Sequence, residues 1–220
     1  MPGGLVTVML VDSQDLVRRG CLDALAAEPS IEVVAAEKDG AHAIASARRL
    51  YPDVVVTDSP LPDYPTPIDA HRLVRELAED DRGVIVFTNV QDDELFWQTL
   101  RAGARGFLLK EATSRQLVDA VYEVSQGNAI VCPVMTRRLL DGLSTKRRDP
   151  SPNRDVELSA LSRREVEVLS GIARGRSNLE IAHELNLADA TVKSHVSRIL
   201  GKLGFNNRVQ AALFAYQRQL

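Results

Sequence analysis

The chain has 220 residues, 45% of them hydrophobic and 26% charged, with a formal net charge of −3. These values suit one or two globular domains and exclude a disordered or fibrous chain; no run approaches the roughly 18 apolar residues of a bilayer span. The first five residues lack a charged segment followed by a long apolar run, so no secretory signal is expected, and Cys21 and Cys132, far apart with no C-x-x-C, argue for a reducing, cytoplasmic setting over a disulfide or zinc framework.

The first predicted strand covers residues 6–11 and ends at Asp12. A helix follows over 16–27, with Leu16, Cys21 or Gly20, Leu22 and Leu25 toward one side. Further strands are expected at 31–36, at 54–57 ending in Asp58, at 84–87 ending in Thr88, and at 106–109 ending in Lys110. Helical patterns fill the gaps at 41–50, 68–78, 94–102 and 114–126, the last opened by a Thr113/Gln116 capping box. Short, continuous, β-branched runs suit strands buried on both faces of a parallel sheet. Five alternations of strand and helix make an open, doubly wound α/β sheet. Right-handed crossovers place every strand's C-terminus on one edge, which is where such sheets bind ligands. Asp12, Asp58, Thr88 and Lys110 would therefore meet there.

Residues 145–155 carry charges and two prolines without apolar periodicity and read as a linker, while 136–143 fits a short helix. The tail is helical throughout. Ser162/Glu165 and Ser177/Glu180 are capping-box pairs, Gly175 suits a helix C′ position, and further helices are expected at about 190–203 and 207–217. Two short helices, a tight connection at 186–189 and a longer helix make a helix-turn-helix. The predicted organisation is thus 1–126, a 127–156 connection and 157–220. From Val156 onward there are nine basic and six acidic residues, against 18 and 24 before it, so the two parts face different partners.

A carboxylate can accept a phosphoryl group as an acyl phosphate. A hard divalent cation held by one or two carboxylates neutralises the phosphoryl oxygens, with a lysine and a hydroxyl as further support. The strand-end residues offer that set. Singly, each is more often a turn, cap or core residue; their ordered conjunction carries the signal. Residues 5–126 resemble the receiver domain of two-component response regulators, through Val11-Asp12-Ser13, Pro52–Asp58, Phe87-Thr88 and Ala102–Lys110. The resemblance implies strand order 2-1-3-4-5, Asp58 as phosphoacceptor, and Thr88, Lys110 and Phe107 as phosphoryl-sensing residues. It also implies Mg²⁺ at Asp12 and Asp58, with the Pro60 carbonyl as a further ligand, and a sensor histidine kinase as partner. Two departures stand out. Ser13 replaces the usual second acid, which should weaken Mg²⁺ binding, and the loop at 63–67 lacks the usual Asp-Gly.

On the third tail helix, Val192, Val196, Ile199, Leu200 and Leu203 follow the helical period and should face the core, leaving Lys193, Ser194, Ser197 and Arg198 outward. Such a face can enter a major groove. Residues 158–217 resemble the LuxR-type helix-turn-helix of the NarL/FixJ family, through Leu161–Leu169, Ser177–Ala182 and Thr191–Gly204. That resemblance implies base contacts from Lys193, Ser194 and Ser197, phosphate contacts near Asn178, Thr191 and Arg198, and double-stranded DNA bound as a homodimer through a surface like Arg208–Ala212. Ala188 occupies the family's hydroxyl cap position, with Asp189 expected to cap instead. His195 reads as a packing residue. The whole is read as a transcription regulator and not an enzyme. The alternatives are a DNA-binding regulator controlled by ligand, partner or expression without phosphorylation, and a flavodoxin-like cofactor enzyme. The latter is disfavoured because the acidic, glycine-free loop Asp12-Ser13-Gln14-Asp15 would repel a cofactor phosphate.

Overall fold

The computed structural model describes residues 5–131, 158–218 and 220. The expected short helix at 136–143, the segment 145–155 and Cys132 lie outside the described residues. The first half alternates β1 (Val6–Val11), α1 (Asp15–Ala26), β2 (Ile31–Glu37), α2 (Gly40–Leu50), β3 (Val54–Thr57), α3 (Pro67–Leu77), β4 (Gly83–Thr88), α4 (Asp93–Ala102), β5 (Gly106–Leu109) and α5 (Ser114–Ser125), with a 3₁₀ turn at Glu79–Asp81. A two-residue strand, β6 (Ile130–Val131), follows. All neighbouring strands pair in parallel, and their order is β2-β1-β3-β4-β5-β6. The five expected strands are present in the expected order. The sixth lies in the stretch read as connection; two residues are too short for a periodic signal.

β1, β3, β4 and β5 are almost wholly buried, which explains their unbroken apolar runs. Alternate residues serve opposite faces. Val8, Leu10, Val54, Val56, Ile85 and Leu108 pack with Leu25 of α1 and with Leu117, Val121 and Val124 of α5. On the other face, Phe107 meets Phe96 of α4 edge-on, ring centroids 5.1 Å apart. Of the residues expected on the inner side of α1, Cys21 and Leu25 are buried but Leu16 is 84% exposed. Leu16 sits in the first turn, ahead of the part of α1 that meets the sheet.

The second half holds a 3₁₀ turn (Leu158–Ala160), then α6 (Arg163–Ala173), α7 (Asn178–Leu185), α8 (Asp189–Leu203) and α9 (Arg208–Gln217). The strands with α1–α5, and the helices α6–α9, belong to two compact units. Both expected capping boxes form, Ser162 with Glu165 and Ser177 with Glu180. Gly175 takes the left-handed conformation (φ 73°) just past α6, where a Cβ would be strained. Leu169, Ile172, Ile181, Val192, Ile199 and Phe214 build one core between the four helices.

Glu165 is only 3% exposed. Its Oε2 accepts from the Ser162 amide and from Lys202 Nζ, both at 2.7 Å. These donors hold its carboxyl far below the ordinary value of 4.5, at about 2. The stabilisation is therefore complete above about pH 4.5 and is lost as pH falls toward about 2. Glu165→Gln should lower stability at pH 7 by about 1 kcal/mol, discounted for the solvent-exposed lysine. It should also flatten the loss of helical stability between pH 4.5 and 2, which thermal unfolding across that range will read.

Candidate functional site

The strand ladder fixes which side chains meet at the upper sheet edge. Val11 pairs with Thr57, so the next residues, Asp12 and Asp58, emerge side by side. The ladder runs on past the strand ends: the Asp58 amide donates to the Val11 carbonyl (2.7 Å), and the Lys110 amide to the Thr88 carbonyl (2.8 Å). Four strand ends thereby bring Asp12, Asp58, Thr88 and Lys110 to one place.

Lys110 Nζ lies 2.8 Å from Asp12 Oδ2 and 2.7 Å from Asp58 Oδ2. Both carboxylates are buried, at 5% and 6% exposure. Each has its other oxygen held by a backbone amide, Asp12 Oδ1 by Gln14 and Asp58 Oδ1 by Ser59. Burial raises the Asp58 carboxyl above the ordinary 3.8, outweighing the lowering by Lys110. Burial, aided by Asp12, likewise pushes the neighbouring Cys21 thiol to about 11. Arg18 closes one side, donating to the Asp12 carbonyl and pairing with Asp15.

Thr88 is wholly buried, and its hydroxyl donates to the Ser59 carbonyl rather than to Asp58. Phe107 is also buried, against Phe96. Pro60 is half-buried beside the pocket, in the loop after Asp58. Ser13 is exposed. Among the described residues no three His, Cys, Asp or Glu side chains gather as a metal site. A hard divalent ion would find two carboxylates plus neutral oxygens, enough for Mg²⁺, which is commonly held by one or two carboxylates.

The unusual loop at 63–67 has a structural role that the sequence did not disclose. Asp63 accepts from the Gly40 and Ala41 amides, at 2.9 and 3.2 Å, at the start of α2. Tyr64 covers Gly40 so closely that a Cβ there would lie 2.5 Å from its ring. Thr66 and Asp69 then form a capping box on α3, with Pro67 at the first helical position. The alternation of Pro, Thr and Asp was a signal for that cap; the long-range clasp of α2 had none.

On α8, Val192, Val196, Ile199 and Leu203 are buried, and Leu200 is half-buried against the same core. Thr191, Ser194, Ser197 and Arg198 are exposed on the opposite side. Lys193 is half-exposed, its Nζ 3.3 Å from Asp189 Oδ2. Asp189 does not cap α8: Ala188 holds the N-cap position with no side-chain bond, and Asp189 begins the helix, one residue too late to cap. Asn178 is buried, its Oδ1 accepting from Arg208, so its side chain is turned away from the exposed face of α8. Arg208 is buried too, also donating to the Arg176 carbonyl. It is a tie between helices and no open surface residue. His195 is half-buried next to the core, with no ligand cluster around it among the described residues.

Two family models match the chain. Residues 8–122 match the response regulator receiver domain and residues 159–215 the bacterial regulatory proteins of the luxR family. The chain is 32% identical to the transcriptional regulatory protein LiaR of Bacillus subtilis over 98% of this chain and 99% of that one. It is 35% identical to the DNA-binding transcriptional activator DevR/DosR of Mycobacterium tuberculosis, over 96% and 94%. Among solved structures it is similar to the response regulator ChrA of a heme-sensing two-component system. That match has a TM-score of 0.51 and 33% identity over 99% and 98% of the two chains.

The raised Asp58 carboxyl implies a cost of charging it in the folded state. Stability contributed by its protonated form is present below the ordinary 3.8 and is lost as pH rises through the folded value. Asp58→Asn, which leaves Lys110 paired with Asp12, should raise the melting temperature of the first unit at pH 7. Differential scanning calorimetry reads this; a lowered melting temperature would mean the ion pair outweighs the burial.

Proposed function

This chain belongs to the response regulators that join a receiver domain to a LuxR-family DNA-binding domain, and we propose that it is a cytoplasmic transcription regulator whose grip on DNA is set by phosphorylation of Asp58. The observation that carries this reading is the Asp12–Lys110–Asp58 cluster at the sheet edge. Two Asp oxygens are pinned by backbone amides, so the Asp58 oxygen facing Lys110 is the one poised to react.

In this reading that Asp58 oxygen attacks the phosphorus of a phosphohistidine on a sensor kinase. A P–O bond forms, the P–N bond breaks, and the imidazole leaves with a proton. Lys110 moves its positive charge from the carboxylate pair to the phosphoryl oxygens. The Thr88 hydroxyl leaves the Ser59 carbonyl for the phosphoryl group, and the packing of Phe107 on Phe96 adjusts behind it. A Mg²⁺ ion held by Asp12, Asp58 and the Pro60 carbonyl would supply neutralisation of the phosphoryl oxygens. Phosphorylation shifts the balance of states only by its differential contacts in each. The output is a homodimer that places α8 in the major groove. Lys193, Ser194 and Ser197 then read base edges, while Thr191, Arg198 and the N-terminal turn of α7 near Asn178, whose own amide donates to Asn128, meet phosphates.

A second reading keeps DNA binding and drops phosphorylation; Ser13 in the usual acid position favours it. One experiment separates the two. Incubation with Mg²⁺ and a small phosphodonor, followed by intact mass, should add one phosphoryl group to the parent and none to Asp58→Asn. Operator affinity measured on the same samples should rise with labelling. Labelling without a change in affinity, or tight operator binding with no labelling, selects the second reading.

Lys193→Ala should lose about 1–3 kcal/mol of discrimination between operator and random DNA, and binding to either should fall steeply with salt. A gel-shift titration in which both affinities match the parent would remove Lys193 from the reading face.

A further inference from the structure

Three oxygens from two loops, those after β1 and β3, lie around the Lys110 ammonium. Asp12 Oδ2 and Asp58 Oδ2 lie at 2.8 and 2.7 Å, and Gln14 Oε1 at 3.4 Å. The Asp12 and Gln14 positions are coupled, because the Gln14 amide donates to Asp12 Oδ1 at 2.8 Å. That bond folds the loop after β1 back on itself, so the Gln14 side chain, itself exposed like Ser13, reaches Lys110 at the mouth of the pocket. The Lys110 ammonium thus sits at a point shared by two carboxylates and one amide oxygen. An amide oxygen is a hard neutral donor, of the kind that accompanies carboxylates around Mg²⁺ and Ca²⁺.

We propose that Gln14 is a ligand of the divalent cation in this pocket, its amide oxygen standing in for the carboxylate that position 13 lacks. The proposal rests on reading the pocket as a receiver site. Exchanging a charged ligand for a neutral one removes one negative charge from the site. The cation is then held more weakly than by three acids, and occupancy depends on its concentration as well as on phosphorylation. Gln14 also sits beside Lys110, so a bound cation and the ammonium compete for the same oxygens.

The test is Mg²⁺ affinity of the full chain by calorimetry, with emission of Trp97, the single tryptophan, as a second readout. Gln14→Ala should weaken Mg²⁺ binding about 3- to 10-fold, near the lower end of losses seen when groups around a metal are altered. Gln14→Glu should strengthen it. In a Ser13→Asp background the Gln14→Ala loss should shrink below about 2-fold, because the restored acid supplies the missing donor; residues sharing one partner are expected to be non-additive. A purely structural role for Gln14 would give the same loss in both backgrounds. That result overturns the proposal, as does an unchanged affinity in Gln14→Ala. Circular dichroism melting of each variant establishes that it is folded. Phosphodonor labelling at saturating Mg²⁺ keeps the two claims apart. Labelling with no Gln14 effect on Mg²⁺ affinity overturns the ligand assignment alone, whereas no labelling in any variant overturns the phosphorylation reading.

Discussion

An ammonium lodged between two buried carboxylates governs the upper edge of the sheet. Two like charges this close and this shielded from water repel strongly, and desolvation penalises both. Lys110 relieves the repulsion without abolishing the penalty, which is why Asp58 still holds its proton more tightly than an exposed aspartate. The arrangement survives because the backbone leaves it no freedom. Asp12, Asp58 and Lys110 sit one residue beyond strands whose register is locked by burial on both faces. A slip of one residue would turn each of these side chains to the opposite face. The chemistry of the edge thus depends on the packing of valines and leucines several residues below it.

That dependence explains what could be read from the chain alone. The runs at residues 6–11, 54–57, 84–87 and 106–109 are apolar because both faces are covered, and each is followed by a polar residue where the strand reaches the sheet edge. Convergence of the four strand-end groups then follows from crossover handedness. The helix caps at Thr113, Ser162 and Ser177 were legible for a similar reason: the partner lies three residues away. Interactions between distant segments left no such trace. Asp63 clasping α2, Arg208 reaching Asn178, and Lys202 pairing with Glu165 join residues 22 to 37 positions apart. Nothing in local spacing marks an arginine as inward-facing, and Arg208 looked like surface until its partners were seen. Asp189 shows the opposite error. A capping residue type was present, but the backbone begins the helix at that residue instead of after it.

The helical unit divides its charges by task. Glu165, Lys202, Arg174, Arg176 and Glu184 tie helices together. Ser194, Ser197 and Arg198 stay exposed on α8, and Lys193 is paired, among the described residues, with Asp189 of its own helix. Such an exposed i,i+4 pair is worth a few tenths of a kcal/mol, so it yields easily to a phosphate or a base edge. The modest basic excess of this half understates its capacity for a polyanion. What matters is which cations are already committed inside the fold and which can change partner.

The clasp made by Asp63 and Tyr64 anchors the loop that follows Asp58. On the side of α2 the loop is held to a helix terminus by hydrogen bonds from two backbone amides and by a ring packed closely on a glycine. On the side of β4, the Thr88 hydroxyl accepts from the Val90 amide and donates to the Ser59 carbonyl, a bond it can exchange for another acceptor. Crowding at Asp58 would therefore be resisted by the anchored loop and met more easily by the Thr88 hydroxyl, which can change acceptor. A loop that resembles a defect in a familiar pattern thus acts as a buttress, giving a local disturbance a direction of travel.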